Sequence, residues 1–339
     1  MPKVNQKAVK VSHKSDDKCQ KSCNKCPSTR MLVTVPVVPN QPDLGTTSIY
    51  AVLKGNICPD EPVILFVHGL GTTSREFSCL QDAFCSAYAT LAIDLRGFGR
   101  STLTDGALAS STFSYTMFIQ DIKNVLDSLQ IRSVIFVGVD FGASIGISFT
   151  STYPEYVEKL VISGANLQWV SDGTWPYNQW TVEQLMELWD ALQDPLTYPE
   201  TLAGLVETYV YPDLCPNNKT IQANAIKNLI NIPLDTLLKI LGFNNDDSFL
   251  FTSLAFETDK IAHMTIPLLI LVGSAAVPSA RQNAGHFYTQ WAVANAQITE
   301  FLFKGINGQA SDVKNFGQRI ADLVAYCPGD NEDCCDTCK

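Results

Sequence analysis

Histidine is scarce in this sequence. Four occur in 339 residues, at positions 13, 68, 263 and 286, and none follows His286. Chemistry that depends on a histidine base therefore has few places to find one. Long apolar runs are absent too: no uninterrupted stretch approaches the roughly 20 residues a membrane-spanning helix needs. No membrane partner is expected on that ground. The first 18 residues are basic and polar and lack the apolar core of a secretory leader. Charge is sparse, at 17% of residues, and its balance is −10. That balance argues against nucleic acid as the main partner. Apolar residues make up 46%, which suits a globular chain with a sizeable core. The default compartment is cytoplasmic; oxidised cysteines would instead point to packaging in a particle such as a virion.

Charge and cysteine are unevenly placed. Residues 1–30 carry seven Lys and one Arg against two Asp, a net of +6 that leaves −16 for the rest. Residues 327–339 carry a net of −3. Of eleven cysteines, seven lie in these ends: Cys19, Cys23, Cys26, Cys327, Cys334, Cys335 and Cys338. Each end holds a C-x-x-C, Cys23 to Cys26 and Cys335 to Cys338. Two such pairs could supply four thiolates to zinc if the ends met. The same residues could form head-to-tail disulfides or stay reduced, and all three readings are open. Cys58, Cys79, Cys85 and Cys215 read as small buried apolar residues. The ends could also engage a protein partner.

Along the chain, short apolar runs alternate with longer amphipathic stretches. Strands are expected at 63–67, 88–93, 134–138, 160–163, 268–273 and 298–303. These runs are apolar on both faces, as a parallel sheet covered by helices requires. Ahead of them, 32–38 and 48–53 read as an antiparallel edge pair. Helices are expected at 116–129, 143–152, 281–294 and 311–325. Strand–helix alternation predicts an α/β fold with a mostly parallel sheet flanked by helices. Nearly 100 residues, 168–264, interrupt the rhythm before the penultimate strand and hold four of the five Trp. They read as a helical cap over the sheet. The division is then a basic tail (1–30), a core (31–167 and 265–326), the cap (168–264) and an acidic tail (327–339).

Three motifs follow the strands in order. Phe66-Val67-His68-Gly69-Leu70-Gly71 comes first, Asp94-Leu95-Arg96-Gly97-Phe98-Gly99-Arg100-Ser101 second, and Gly138-Val139-Asp140-Phe141-Gly142 third. On these motifs and their spacing the chain resembles the α/β-hydrolase superfamily over roughly residues 45–325. The third motif occupies the nucleophile elbow, a sharp strand-to-helix turn that needs small flanking residues. The central residue is Asp140 where Ser is usual, which resembles the epoxide hydrolase and haloalkane dehalogenase branch. An ionised carboxylate can open an epoxide or displace halide, leaving an ester on itself. The resemblance also implies an oxyanion hole from the backbone amides of Leu70 and Phe141.

The rest of the expected triad is degenerate. The histidine position after the last strand falls on Ile306, Asn307 or Gly308, and Asn307 is the best match. The acid position falls on Ala276, and the alternative acid position offers Asn166. His286 is the remaining candidate base, in a place the family does not use. Leu70 and Phe141 differ from the halide-holding Asn and Trp of dehalogenases. Tyr177, Tyr198, Tyr209 and Tyr211 lie in the cap, where epoxide hydrolases carry acidic tyrosines. The expectation is a hydrolase of small apolar esters or epoxides with impaired turnover, binding an apolar ligand under the cap and needing no cofactor. The alternative is an inactive binding or structural module on the same fold.

Overall fold

The computed structural model describes residues 26–38, 41–69, 71–101, 115–163, 266–273 and 298–303, with scattered positions in 187–205, at 227 and in 318–321. Eight strands form one sheet: β1 (Ser28–Val38), β2 (Gln41–Lys54), β3 (Val63–Val67), β4 (Thr90–Ile93), β5 (Val134–Val139), β6 (Val157–Ser163), β7 (Leu268–Gly273) and β8 (Ile298–Phe303). Their order is β1-β2-β4-β3-β5-β6-β7-β8. The β1–β2 and β2–β4 pairs are antiparallel and the rest are parallel.

Every residue of β3, β4 and β5 is buried. That is why their sequences are apolar without alternation. The edge hairpin does alternate: β1 buries Val33, Val35 and Val37 and turns the residues between them outward. Both edge strands run longer than expected, from Ser28 and to Lys54. Their extra length continues one antiparallel ladder, from Ser28 opposite Lys54 to Val38 opposite Gln41.

Helix α1 (Ser78–Phe84) follows a 3-10 turn, Ser74–Phe77. Neither was anticipated from the sequence, although Phe77, Leu80 and Phe84 form a buried stripe of helical spacing. Helices α2 (Tyr115–Ser128) and α3 (Phe141–Thr152) fall where helical patterning predicts them, with α3 starting two residues earlier. A further helix, α4 (Tyr198–Leu205), lies in the stretch between β6 and β7. The helix expected at 281–294 lies outside the described residues. Positions 318, 320 and 321 of the one expected at 311–325 are helical. Most of the segment expected to cap the sheet, and both terminal tails beyond Cys26, also lie outside them.

One side of the core joins Phe66, Phe77, Leu80, Val137, Val161, Leu269 and Ile320. A buried ion pair ties the hairpin to α2. The Arg96 guanidinium donates to both Asp121 oxygens, at 2.8 and 2.6 Å, and to the carbonyls of Val37 and Pro36. Burial pushes the Asp121 carboxyl up and Arg96 pulls it back. Removing one partner would leave a buried, uncompensated charge.

The interior cysteines do not behave as expected. Cys85 is bonded to Cys26, with Cα atoms 6.0 Å apart. The bond joins the residue just past the end of α1 to the chain entering β1. Cys58 is also in a disulfide, and its partner lies outside the described residues. Cys79 is an exposed free thiol. The apolar reading of Cys58, Cys79 and Cys85 is therefore corrected. With its sulfur in a covalent bond, Cys26 is withdrawn from the four-thiolate zinc site; Cys23, Cys335 and Cys338 lie outside the described residues. Sequence spacing did not reveal this pairing because it depends on how β1 and α1 meet in space.

Two stability outcomes are expected. Cys26→Ser/Cys85→Ser should lower the unfolding free energy by about 4 kcal/mol, the chain-entropy value for a loop of this size, as measured by urea titration under non-reducing conditions. Arg96→Ala should cost about 3–5 kcal/mol, more than Arg96→Ala/Asp121→Ala together, and thermal unfolding of the two variants checks the order.

Candidate active site

The strand order reverses between β3 and β5. In open parallel sheets, the crevice beyond the carboxyl ends at such a point is where ligands bind. The chain leaving β3 carries His68 and Gly69; the chain leaving β5 carries Asp140.

Asp140 has φ 51° and ψ −116°, backbone angles that disfavour a side chain. A non-glycine residue held there costs on the order of 1–3 kcal/mol. The surroundings enforce it. The Asp140 N–H donates to the Ser163 carbonyl of β6 at 2.7 Å, and its own carbonyl accepts from Ala143 and Ser144 in the first turn of α3. Helix α3 packs so close to β3 that a Cβ on Gly142 would lie 2.2 Å from the Val67 carbonyl oxygen. On Gly138 a Cβ would meet the Gly142 carbonyl at 2.4 Å. The two glycines that suggested the elbow are thus required by contact.

The Asp140 side chain is half-buried and does not cap its own helix. It lies against the loop after β3: a Cβ on Gly69 would be 2.9 Å from both Asp140 Cβ and Oδ2. The amino end of α3 favours negative charge there. Phe141 is buried at the start of α3, its ring edge-on to Phe118 at 5.3 Å. The other expected positions, Leu70, Asn166, Ala276, Asn307 and His286, lie outside the described residues.

His68 is structural in this arrangement. The Leu95 N–H donates to His68 Nε2 at 3.0 Å, so Nδ1 carries the proton and donates to the Gly69 carbonyl at 2.7 Å. Burial lowers its pKa, against the opposing pull of Asp94. Both ring nitrogens are occupied and the ring is kept neutral.

The second motif organises the same edge. Asp94 accepts the Ser74 N–H at 2.7 Å and the Arg100 N–H at 2.8 Å. The first contact anchors the 3-10 turn, and with it Glu76. Sequence reasoning missed Glu76 altogether. Its residue is half-buried, yet its Oε2 has neither solvent access nor a hydrogen-bond partner. Burial pushes the Glu76 carboxyl up to about 7, with a hydrogen bond from Thr72 opposing and repulsion from Asp140 adding to it. A glutamate on a single 3-10 turn gives no sequence signal of its own. What marks it is the fold that shuts one of its oxygens away from solvent, within electrostatic range of Asp140.

Two further buried polar atoms lack partners among the described residues: Ser163 Oγ, next to the elbow's backbone contact, and the Tyr198 hydroxyl of α4. Burial raises the Tyr198 pKa. A cleft of about 360 Å³ lined by Cys58, Glu61, Gln130, Arg132 and Tyr156 lies at the amino ends of β3 and β5, away from the elbow.

Comparison with known proteins agrees with this geometry. Residues 62–210 match the family described as the α/β hydrolase fold. Human epoxide hydrolase 4 is 32% identical over 102 residues, 30% of this chain and 27% of that protein. The chain spans about a third of the length of the curated relatives it matches. Among solved structures, an esterase from Exiguobacterium antarcticum superimposes with a TM-score of 0.62 at 19% identity, over 83% of this chain and 96% of that one. A haloalkane dehalogenase variant from Bradyrhizobium elkanii gives 0.58 at 16% identity, over 88% and 97%. The sheet order and the elbow are those of the α/β-hydrolase fold, which the matched stretch and the superimposed structures share.

The Glu76 carboxyl predicts a pH dependence. A raised folded-state value contributes stability that is full below about 4.5 and is lost as pH rises through about 7. The span corresponds to up to about 3 kcal/mol. Glu76→Gln should therefore gain about that much on the wild type between pH 4.5 and pH 8, read as the change in the difference of their urea unfolding free energies.

Proposed function

We propose that this chain is a hydrolase in which Asp140 is a carboxylate nucleophile acting on small apolar epoxides or esters. The observation that carries the reading is a half-buried carboxylate held at a strained elbow against the loop after β3. Strain of this kind persists where the surroundings over-determine it, and it concentrates at reactive positions. A serine at the elbow would need a base to attack; a carboxylate does not.

With an epoxide, an Asp140 oxygen bonds to ring carbon as the carbon–oxygen bond breaks. The product is a hydroxyalkyl ester on Asp140 and an alkoxide that needs a proton. Backbone amides of Leu70 and Phe141 are assigned to the carbonyl oxygen when water later attacks the ester. Tyr198 is the described residue of the β6–β7 insertion with an unpartnered hydroxyl to offer the alkoxide. The insertion is assigned as a cap over an apolar ligand. Positions Ala276 and Asn307 cannot do the work of the family's acid and histidine, so release of the ester is expected to be the slow step.

A second reading follows from those two positions and from the lack of any histidine after His286: the same scaffold used as a binding module, reaching partners through its cysteine-rich ends. Intact-mass measurement after incubation with styrene oxide and a haloalkane separates the two. The hydrolase reading expects a covalent adduct on wild type, absent in Asp140→Asn and mapped to Asp140 by peptide digestion. Unchanged mass with no diol or alcohol product would leave the binding module in its place.

A further inference from the structure

Cys26 is bonded to Cys85, and Cys58 is bonded to a cysteine outside the described residues. We propose that Cys23 is that partner. The C-x-x-C of the basic head is then divided between two anchors, and the head is pinned to the loop between β2 and β3.

Three segments converge where the head enters the sheet. The Gly55 N–H, one residue past β2, donates to the Pro27 carbonyl at 3.0 Å. Gly55 has φ 87°, and a Cβ there would lie 3.1 Å from the Tyr88 carbonyl oxygen and 3.2 Å from that of Cys85. The start of β1, the end of β2 and the end of α1 thus meet around one glycine. The bond from Cys26 to Cys85 is made at this junction. Cys58 lies three residues beyond Gly55, and Cys23 three residues before Cys26. Three residues of chain extend at most about 11 Å, so both cysteines stay close to the junction.

The direction of the chain brings them closer. Strands β1 and β2 run antiparallel with Ser28 opposite Lys54, and the bond between Gly55 and Pro27 carries that course one step further. Counted onward in the same register, Cys58 falls level with Asn24, the neighbour of Cys23, and five residues from Cys19. Level antiparallel positions are about 5 Å apart. A stagger of one residue adds about 3.3 Å along the chain, for roughly 6 Å between Cα atoms, inside the range of a disulfide. Beyond Lys54 the chain is no longer strand, so the Cys58 side chain is not bound to one face of the sheet.

The first bond favours the second. With Cys26 fixed to Cys85, Cys23 hangs on a tether of three residues and Cys19 on one of seven. Local concentration falls roughly as the −3/2 power of tether length, about fourfold in favour of Cys23. Charge acts in the same direction. Lys21 and Lys25 flank Cys23, and the exposed Asp60 and Glu61 follow Cys58. Surface pairs of this kind steer an approach more than they stabilise the product. The head, with seven Lys and two Asp in residues 1–25, is thereby tied at the edge of the cleft that Cys58 and Glu61 line.

The bond forms by exchange. The Cys23 and Cys58 thiols together give up two protons and two electrons to an oxidised thiol such as oxidised glutathione, which leaves as two molecules of reduced glutathione. Both sulfurs of the head C-x-x-C are then spent on different partners, one in the β2–β3 loop and one just past α1. Until reduced, the pair neither cycles as a dithiol nor offers thiolate to a metal. Cys58 precedes β3 at the amino end of the sheet, and the bond asks nothing of Asp140.

The test maps the bonds of the full-length chain folded in a glutathione redox buffer. Free thiols are alkylated, the chain is digested with trypsin at mildly acidic pH, and peptides are read by mass spectrometry before and after reduction. Trypsin cuts after Lys18, Lys21, Lys25 and Arg30, so Cys19, Cys23 and Cys26 leave on three separate peptides. Residues 22–25 are expected joined to residues 55–75, and 26–30 joined to 76–96, with both links lost on reduction. A link from 55–75 to the peptide of Cys19, of Cys215 or of any cysteine after residue 326 overturns the pairing. So does a Cys58 that takes up the alkylating reagent before reduction. Cys19→Ser is expected to keep the link between 22–25 and 55–75; its loss in that variant overturns the pairing as well.

Discussion

The approach of helix α3 to the end of β3 is the constraint on which the rest of the site depends. Gly142 lies where a single added carbon would collide with the Val67 carbonyl. That closeness is what forces Asp140 into a backbone conformation unfavourable for any side chain. It also presses the elbow against Gly69, so that Asp140 and the loop after β3 share one surface. Loosening the contact would relax the strain, but the carboxylate would then lose its place above the sheet.

Buried charge holds the surrounding loops in register with that contact. Arg96 is 1% exposed and satisfied by Asp121 and two backbone carbonyls. It fixes the end of the β1–β2 hairpin to α2. Asp94, 2% exposed, binds amides from two different loops and so fixes the turn that carries Glu76. Both belong to one stretch of eight residues after β4. A motif that reads as a family signature is, physically, a set of buried hydrogen bonds that position other residues.

Much of the fold was legible in the sequence, and the reasons are specific. The strands β3, β7 and β8 match their expected bounds, and for β3 and β7 the reason is that runs apolar on both faces are buried inside such a sheet. The elbow was legible because Gly138 and Gly142 bracket a residue that must turn sharply. Helix α1 was not, because seven residues carry less than two full turns of pattern. The disulfide between Cys26 and Cys85 was not, because spacing along the chain says nothing about which segments meet. The expectation that Cys58, Cys79 and Cys85 are plain apolar residues failed for the same reason.

The division between sequence and structure follows the range of the forces involved. The sequence by itself determined which segments become strands, where α2 and α3 run, and that a carboxylate occupies the turn between β5 and α3. Those outcomes rest on periodicity and on steric limits within a few residues. Only the tertiary structure decided that one Glu76 oxygen is shut away from solvent, that His68 spends both nitrogens on backbone groups, and that Cys85 meets Cys26. Burial and proximity between distant segments set proton affinity and pairing, and neither quantity exists until the sheet has closed around them.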